Sequence, residues 1–477
     1  MAYVTPAAAA DGGTEVWEAL HDAGGVVGQP PSTPCPASVP WGVTCRVPNA
    51  TAASPDGTKV FVAGSVDGVF GEGRNYATVA YNVSTGAQLW LATFTSTVNG
   101  APVNYEDVAN AVAVSPDGTK VYVTGKSRGA FVTIAYNAST GAQLWARSYA
   151  ANGPATAITV SPDGSTVFIT GDGTNTTGGK PFDYATVAYN ALTGAQLWSA
   201  TFNGTANLNE YARAITVTPD GSQVIMTGYS ETVYDQGVVP SDSEYVTIAY
   251  QAATGAQQWV NHFDPGPSLD QASSMAMSPD GSFVAVTGTT GGFNTTKPQS
   301  GTVAYDTVTG AQRWVAQYSN PQSTSDTAAG VAVAPDATKV YVTGTTSSSS
   351  NSDYDTVAFT ADTGTPVWAS TYDGPPHSFD NGAALAVSGD GTKVVVTGTS
   401  YGGVSTSYDY ATVAYDTTTG AQQWVNRQNF VAPTSSDVAR AITIAPGNNT
   451  VIVTGARTAV PTTPNPDTEF ATIAIRP

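Results

Sequence analysis

The sequence predicts an all-β fold, an eight-bladed β-propeller built from four-stranded antiparallel blades. A segment of the form Ala-x-Asn-x-x-Thr-Gly-x-x-x-Trp, complete at residues 80–90, returns with small changes along the whole chain. Each repeat holds four short runs rich in β-branched and aromatic residues, and such units at a period of about 45 to 60 residues are typical of propeller blades. No long segment shows the apolar period of an amphipathic helix, so almost no helix is expected.

The four strands follow one order in every repeat, as the second repeat shows. Strand A is expected at residues 110–115 and leads into a Ser-Pro-Asp-Gly turn, where Pro fixes φ and Gly accepts a positive φ. Strand B, residues 120–125, ends in Thr-Gly, and strand C covers residues 131–136. A turn that contains Asn and Thr-Gly then leads to strand D, residues 143–149.

The strand count predicts how the ring closes. Strands A, B and C occur eight times between residues 50 and 475, but strand D follows them only seven times. The missing strand is found at residues 14–20, so it is expected to pair with residues 470–475 as the outer strand of blade 8, a three-plus-one clasp. The predicted single domain, residues 1–477, therefore contains blades at residues 50–94, 108–149, 155–202, 211–263, 271–318, 327–372, 381–428 and 438–475 with 14–20.

Eight of the nine tryptophans occupy the same position of the repeat. From the outer strand, each is expected to cover the seam toward an adjacent blade and to bury about 200 Å² of apolar surface. A ring of exposed aromatic residues for carbohydrate is the disfavoured alternative, because a residue fixed to one turn in every blade suits packing. These docking residues are Trp17, Trp90, Trp145, Trp198, Trp259, Trp314, Trp368 and Trp424.

The loop at residues 21–49 is the longest connection between blades and carries both cysteines. Cys35 and Cys45 are expected to form a disulfide in an oxidising compartment, with two unrelated thiols as the alternative. The ninth tryptophan, Trp41, lies between them and is available to plug the channel or to bind a ligand. We therefore expect an extracellular or cell-surface protein, with the leader peptide absent from this sequence.

The charge balance restricts the partners. The formal net charge is −19, which disfavours nucleic acid and favours cations or a basic protein or glycan partner, although solubility alone also explains it. No apolar run approaches the ~18 residues of a membrane span. A monomer is expected.

The loops between strands D and A and between strands B and C lie on one face of the predicted propeller and vary most in sequence. Function is expected on this D–A/B–C face, around the central channel. Acids stand eight residues before most Ser-Pro-Asp-Gly turns, and two arginines begin strand A in blades 4 and 8. The candidate ligand-binding residues at this channel mouth are Asp107, Glu210, Arg213, Asp270, Asp326, Asp380, Asp437, Arg440 and Trp41.

Two interpretations of these acids stay open. Asp270, Asp326 and Asp380 are candidate ligands for Ca²⁺, which takes several oxygen ligands. The favoured alternative is that each acid caps backbone N–H groups where strand A begins. The arginines could bind an anion or pair with neighbouring acids, and the three histidines fall on different blades, which disfavours a shared metal.

The Trp motif closely resembles the tryptophan-docking motif of quinoprotein propellers, and Val121-Tyr122-Val123-Thr124-Gly125 resembles bacterial YVTN-type repeats. The resemblance implies the fold of a superfamily that includes pyrroloquinoline-quinone (PQQ) alcohol dehydrogenases and cofactor-free scaffold proteins. Those dehydrogenases hold the quinone with an adjacent Cys-Cys disulfide, a Trp floor, a bound calcium ion and an Asp base. This chain has no adjacent cysteines, so no cofactor is predicted and PQQ is not expected.

The sequence contains no recognisable catalytic motif. The leading hypothesis is a secreted, non-enzymatic propeller that binds a partner through the D–A/B–C face. One alternative is a quinone- or metal-dependent oxidoreductase or a propeller lyase, with its site at the channel mouth. A second alternative is a surface-layer or self-assembling structural protein.

Overall fold

The structure, a computed structural model, is an all-β ring of eight blades. It describes residues 3–6, 13–21, 47–67, 73–98, 101–102, 105–174, 182–235, 239–291, 297–375, 377–403, 407–430, 436–447, 449–458 and 468–477. Each blade is an antiparallel sheet in the order A-B-C-D, which confirms the predicted fold class. Within these ranges, no helix has the length and apolar character that crossing a bilayer demands.

The strand bounds follow the repeat closely. In blade order, strand A spans Val47–Ala53, Val108–Val114, Ala155–Val160, Glu210–Val217, Gln271–Met277, Ser325–Val333, Asp380–Val387 and Asp437–Ile444. Strand B spans Lys59–Asp67, Lys120–Ser127, Thr166–Thr174, Gln223–Asp235, Phe283–Thr290, Lys339–Ser347, Lys393–Gly403 and Val451–Thr458. Strand C spans Gly73–Asn82, Ala130–Asn137, Phe182–Asn190, Val239–Gln251, Gln299–Asp306, Ser352–Thr360, Ser407–Asp416 and Thr468–Arg476. Strand D spans Gln88–Phe94, Gln143–Tyr149, Gln196–Phe202, Gln257–Phe263, Gln312–Tyr318, Pro366–Tyr372, Gln422–Gln428 and, for blade 8, Thr14–His21.

The predicted clasp is confirmed in its register. Thr14–His21 pairs antiparallel with Thr468–Arg476, with Glu15 opposite Ile475 and Leu20 opposite Ala471. An additional strand, Tyr3–Pro6, pairs with the outer edge of Thr14–His21, so this sheet has five strands. The sequence analysis did not predict this strand, because it lies outside the repeat and carries none of its motifs.

Short strands also form in the connection between blades 1 and 2. Thr97–Val98 pairs with Ala101–Pro102, and Tyr105–Glu106 runs parallel to the start of strand C of blade 1. Isolated parallel bridges such as Ser352 to Phe379 repeat this contact elsewhere. The end of a D–A connection is thereby fixed against the preceding blade, on the D–A/B–C face.

The core lies in the seams between blades. One buried cluster, for example, combines Phe61 and Tyr76 of blade 1 with Val121 and Ile134 of blade 2. The first Tyr of strand C adds a polar contact across the seam, since the Tyr76 hydroxyl donates to the Val132 carbonyl at 3.2 Å. Each blade is therefore stabilised mainly by its neighbours.

The docking tryptophans form a closed ring of contacts, as predicted. Seven Trp rings pack on the Gly of the Thr-Gly turn in the next blade, and Trp424 packs on Gly13 just before strand D of blade 8. An added Cβ on these glycines would lie only 2.5 to 2.8 Å from the ring. The same seven tryptophans also donate Nε1–H to a backbone carbonyl of that next blade at 2.6 to 3.1 Å. Trp17 on Gly86 and Trp424 on Gly13 extend the ring through the clasp.

Gly86→Ala tests the clasp seam, with Gly118→Ala as a matched control. The two glycines have φ of +70° and +68°, so Ala in either turn suffers the same backbone strain of about 1–2 kcal/mol. At Gly86 the new Cβ would also lie 2.6 Å from Trp17, whereas at Gly118 the nearest atom is 3.6 Å away. We expect Gly86→Ala to lower the free energy of unfolding by a further ~1–3 kcal/mol in chemical denaturation. Equal losses in the two variants would contradict a docked Trp17.

Candidate functional site

A β-bulge in every strand A places one residue per blade at an equivalent position facing the channel. The pairing register between strands A and B shifts at this point, for instance between Ala109 and Ala111. The Gly that ends strand B makes room for it, because a Cβ on Gly125 would lie 2.0 Å from the Val108 carbonyl oxygen. In blade order the eight bulge residues are Asn49, Asn110, Thr156, Arg213, Ser273, Ala329, Ala383 and Arg440.

Small polar bulge residues form hydrogen bonds between blades. Asn49 Nδ2 donates to the Ala109 carbonyl at 2.9 Å, and Asn110 Nδ2 donates to the Ala155 carbonyl at 2.8 Å. Ser273 Oγ donates to the Ala328 carbonyl at 2.8 Å. At three seams the bulge position therefore stabilises the ring. Sequence analysis singled out only its two arginines, although every member lies five residues before the turn that follows strand A.

The six predicted acids are buried beneath the loops of the D–A/B–C face. Asp107, Glu210, Asp270, Asp326, Asp380 and Asp437 are each at most 1 % exposed. Four of them accept a hydrogen bond from a backbone N–H of the preceding D–A connection, and one example is Ser96 N to Asp107 Oδ2 at 2.7 Å. These contacts are those of the capping interpretation.

Other donors also contact these acids. Asp270 accepts from Gly291 N at 2.9 Å, and Glu210 accepts from Ser230 Oγ at 3.0 Å. Asp326 accepts from Ser319 and Ser323 and lies 3.3 Å from Lys297 Nζ. Burial raises the pKa of Glu210 to about 8 and that of Asp270 to about 7. Glu210 is therefore mostly protonated at neutral pH, and Asp270 is protonated in part.

The two channel arginines have different surroundings. Arg213 lies 5.5 and 5.0 Å from the ring centres of Tyr211 and Tyr229, donates to the Tyr229 hydroxyl at 3.2 Å and to the Ala212 carbonyl at 3.0 Å. Arg440 has no hydrogen-bond or ion-pair partner among the residues that the structure describes. Arg213 is therefore held in place by residues of its own blade, whereas Arg440 is available to bind a ligand.

A groove crosses blades 6 to 8 on the D–A/B–C face. Its cavity of about 600 Å³ is bordered by the start of strand A at Thr327, Asn381 and Val438, and by strand B at Thr345 and Thr399. Phe379 and Ser436 of the D–A connections, with Ser352 and Tyr408 at the start of strand C, complete it. A second cavity of about 340 Å³ shares Asn381, Thr399 and Val438 with the groove and extends to Asn49 and Arg440. We call the two together the blade 6–8 groove.

The groove combines apolar and hydrogen-bonding surface. Phe379 is 54 % exposed and gives the groove an apolar surface. Thr, Ser and Asn side chains around it can both donate and accept hydrogen bonds. Ala383, the bulge residue of blade 7, borders the open space near the channel and leaves room there because its side chain is short. Sequence spacing could not reveal this groove, since blades 6 to 8 and Asn49 of blade 1 contribute to it.

One acidic triad could hold a cation. In the described part of the chain, the group of three carboxylates whose oxygens lie within 4.8 Å of one another is Asp353, Asp373 and Asp380. Each already has a protein donor, namely Asn351, His377 and Gly374 N at 2.8, 2.7 and 2.7 Å. Asp270 and Asp326, the other predicted Ca²⁺ ligands, do not belong to this group.

The histidines and the stapled loop complete the predicted set. His262 pairs with Glu244 at 2.8 Å and His377 pairs with Asp373, so the two lie on separate blades. Cys35, Cys45 and Trp41 lie outside the described residues, as does the side chain of His21.

Comparison with protein families identifies the repeat. The profile of the family described as outer membrane protein assembly factor BamB matches residues 2–219 and 128–378. The chain belongs to this family of PQQ-repeat propellers. A search of curated proteins found no match.

Solved structures share the fold of this BamB-family chain at low identity. Sqt1 from Chaetomium thermophilum is 13 % identical with a TM-score of 0.55 and covers 91 % of this chain and 96 % of its own. The quinohemoprotein alcohol dehydrogenase ADHIIG from Pseudomonas putida HK5 is 12 % identical with a TM-score of 0.53 and covers 91 % and 75 %. The enzyme from Comamonas testosteroni is 13 % identical with a TM-score of 0.51 and covers 90 % and 75 %. At these identities the likeness shows the fold alone.

The described residues of this BamB-family propeller do not fit a bound quinone. Every repeat tryptophan is docked on a neighbouring blade, so none of the eight provides a channel floor. The acids at the start of strand A are buried caps, and the sequence has no adjacent cysteines. No chemical step through PQQ is therefore derived.

The raised pKa of Glu210 predicts a pH dependence of stability. The folded state keeps a proton that the unfolded state releases near pH 4.5, so this stabilisation is complete at low pH and is lost as pH rises through about 8. Glu210→Gln stays neutral and keeps an acceptor for Ser230. In chemical denaturation at pH 5 to 8, we expect the free energy of unfolding of the variant to fall less with rising pH than that of wild type. Glu210 accounts for at most about 1.4 kcal/mol of this fall per pH unit.

Asp117→Asn is the control for this pH series. Hydrogen bonds from Ser115 and Thr119 lower the pKa of Asp117 to about 2. The contribution of Asp117 to the free energy of unfolding therefore changes with pH only below the range of this series. The slope of Asp117→Asn between pH 5 and 8 is expected to equal that of wild type. A slope for Glu210→Gln that also equals wild type would contradict a protonated Glu210.

Proposed function

We propose that this BamB-family propeller is a non-enzymatic binding protein that holds an extended polypeptide segment in the blade 6–8 groove. The observation that carries the proposal is the exposed Phe379 within a cavity of about 600 Å³ lined by hydroxyl and amide side chains. Such a cavity lies within the size range of ligand sites, where an apolar anchor is combined with a few polar groups. Hydroxyls and amides that both donate and accept match the N–H and C=O groups of a peptide.

The charge of the groove rim favours a basic partner. Asp373 lies in the same D–A connection as Phe379, and Asp353 follows Ser352 of the groove. The whole chain carries −19, so association with a basic segment is favoured at long range. An assembly factor is the name-giving member of the family, which also supports a protein partner. We propose that the protein acts outside the cytoplasm, extracellularly or at the cell surface, as a monomer without a resident cofactor.

A library of synthetic octapeptides with free ends tests this function. Peptides retained by the purified protein are identified by mass spectrometry and their affinities measured by calorimetry. Phe379→Ala is expected to weaken their binding about tenfold or more, because a central aromatic anchor contributes well above 1 kcal/mol. Leu192→Ala is the matched control, since Leu192 is 72 % exposed on a C–D turn at the opposite face. Binding that is lost equally in both variants, or no retained peptide, would refute the groove as a peptide site.

A further inference from the structure

We infer that Arg440 is an oxyanion-binding residue of the blade 6–8 groove and holds a carboxylate group of the bound polypeptide. This inference rests on the proposed function and adds the chemistry of one end of the ligand. Arg440 borders the part of the groove nearest the channel, with Asn49, Asn381, Ala383 and Thr399 around it.

The side chain of Arg440 does not form the structural hydrogen bond that several equivalent bulge residues form. The equivalent residues of blades 1, 2 and 5 donate across the next seam to a backbone carbonyl. The guanidinium of Arg440 makes no such bond among the described residues. The residue is exposed as a whole, although partial burial of the guanidinium lowers its pKa. A guanidinium that stabilises neither its blade nor a seam is free to bind a ligand.

Several other arginines have partners within the chain. Arg313, Arg427 and Arg457 are each paired with a carboxylate of the chain, Asp306, Asp409 and Glu469. Arg147 donates to the backbone carbonyls of Gly194 and Thr193. In a chain of net charge −19, Arg440 lies in a cavity that no acidic side chain lines. Arg440 is the charged residue among those that line this cavity, so its charge is complementary to an anion.

The chemistry of the cavity favours a carboxylate. A planar guanidinium binds a carboxylate through two parallel N–H···O bonds. Asn381 and Thr399 supply neutral groups of the kind that bind the neighbouring amide. Ala383 leaves space beside Arg440 where a longer bulge residue would extend. The carboxylate could come from the free C-terminus of the peptide or from an Asp or Glu side chain, and both have the same chemistry.

The test uses the retained octapeptides in three forms, which are the free acid, the C-terminal amide, and the free acid with internal Asp and Glu replaced by Asn and Gln. Each form is titrated into wild type, Arg440→Gln, Arg440→Lys and Arg213→Gln. Thermal melting verifies that every variant is folded. Arg213→Gln is the matched control, because it removes the same charge from the same bulge position of blade 4.

We expect one of the two carboxylate replacements to weaken binding to wild type about tenfold or more, the usual size of a charge-assisted hydrogen bond. Arg440→Gln should weaken binding of the free acid by the same factor, and the carboxylate replacement should then cause no further loss. Arg440→Lys should retain part of the affinity. Arg213→Gln should still bind the free acid more tightly than the replaced peptide, as wild type does. Which replacement matters identifies the source of the carboxylate. If peptides depend on Phe379 but are indifferent to both replacements and to Arg440→Gln, the inference fails and the proposed function stands. If no peptide depends on Phe379, both fail.

Discussion

The contact of a tryptophan ring with a glycine in the next blade is the interaction on which the rest of this propeller depends. A flat aromatic ring can lie against a turn only if the turn presents no side chain, and the Thr-Gly turn provides this surface once per repeat. The positive φ of the same glycine shapes the turn that sets the register of the outer strand, as at Gly86. One residue therefore fixes both the local backbone and the seam, and the eight contacts define the spacing of the blades.

Inside the ring, a second repeated device controls what faces the channel. The bulge of strand A and the glycine at the end of strand B fit together, as Val108 and Gly125 show. The bulge residue can then vary without disturbing the sheet. Asn at this position closes a seam, Ala opens space, and Arg in blades 4 and 8 introduces charge at opposite sides of the ring. The scaffold thus separates residues that maintain the fold from residues that determine recognition.

The sequence was sufficient to predict most of the fold, because the determinants of the fold recur in every repeat. The strand order, the docked tryptophans and the pairing of Thr14–His21 with the C-terminal strand all follow from repeat counting. The strand Tyr3–Pro6 was missed, since it pairs through its backbone and has no motif. Of the predicted site, Arg440 lies in the groove, whereas the six acids are buried caps. Phe379 and Tyr408 could not be found, because their proximity arises from the ring and not from spacing along the chain.

The clasp has a consequence for biosynthesis. Thr14–His21 is synthesised well before its partner Thr468–Arg476, which lies roughly 450 residues later in the chain. At a synthesis rate of about 5–20 residues per second, Thr14–His21 stays unpaired, with Trp17 undocked, for on the order of half a minute. During that interval seven blades can form in sequence while the ring stays open. The pairing that closes blade 8 is therefore the step at which chaperones can bind the chain or at which two nascent chains can exchange strands.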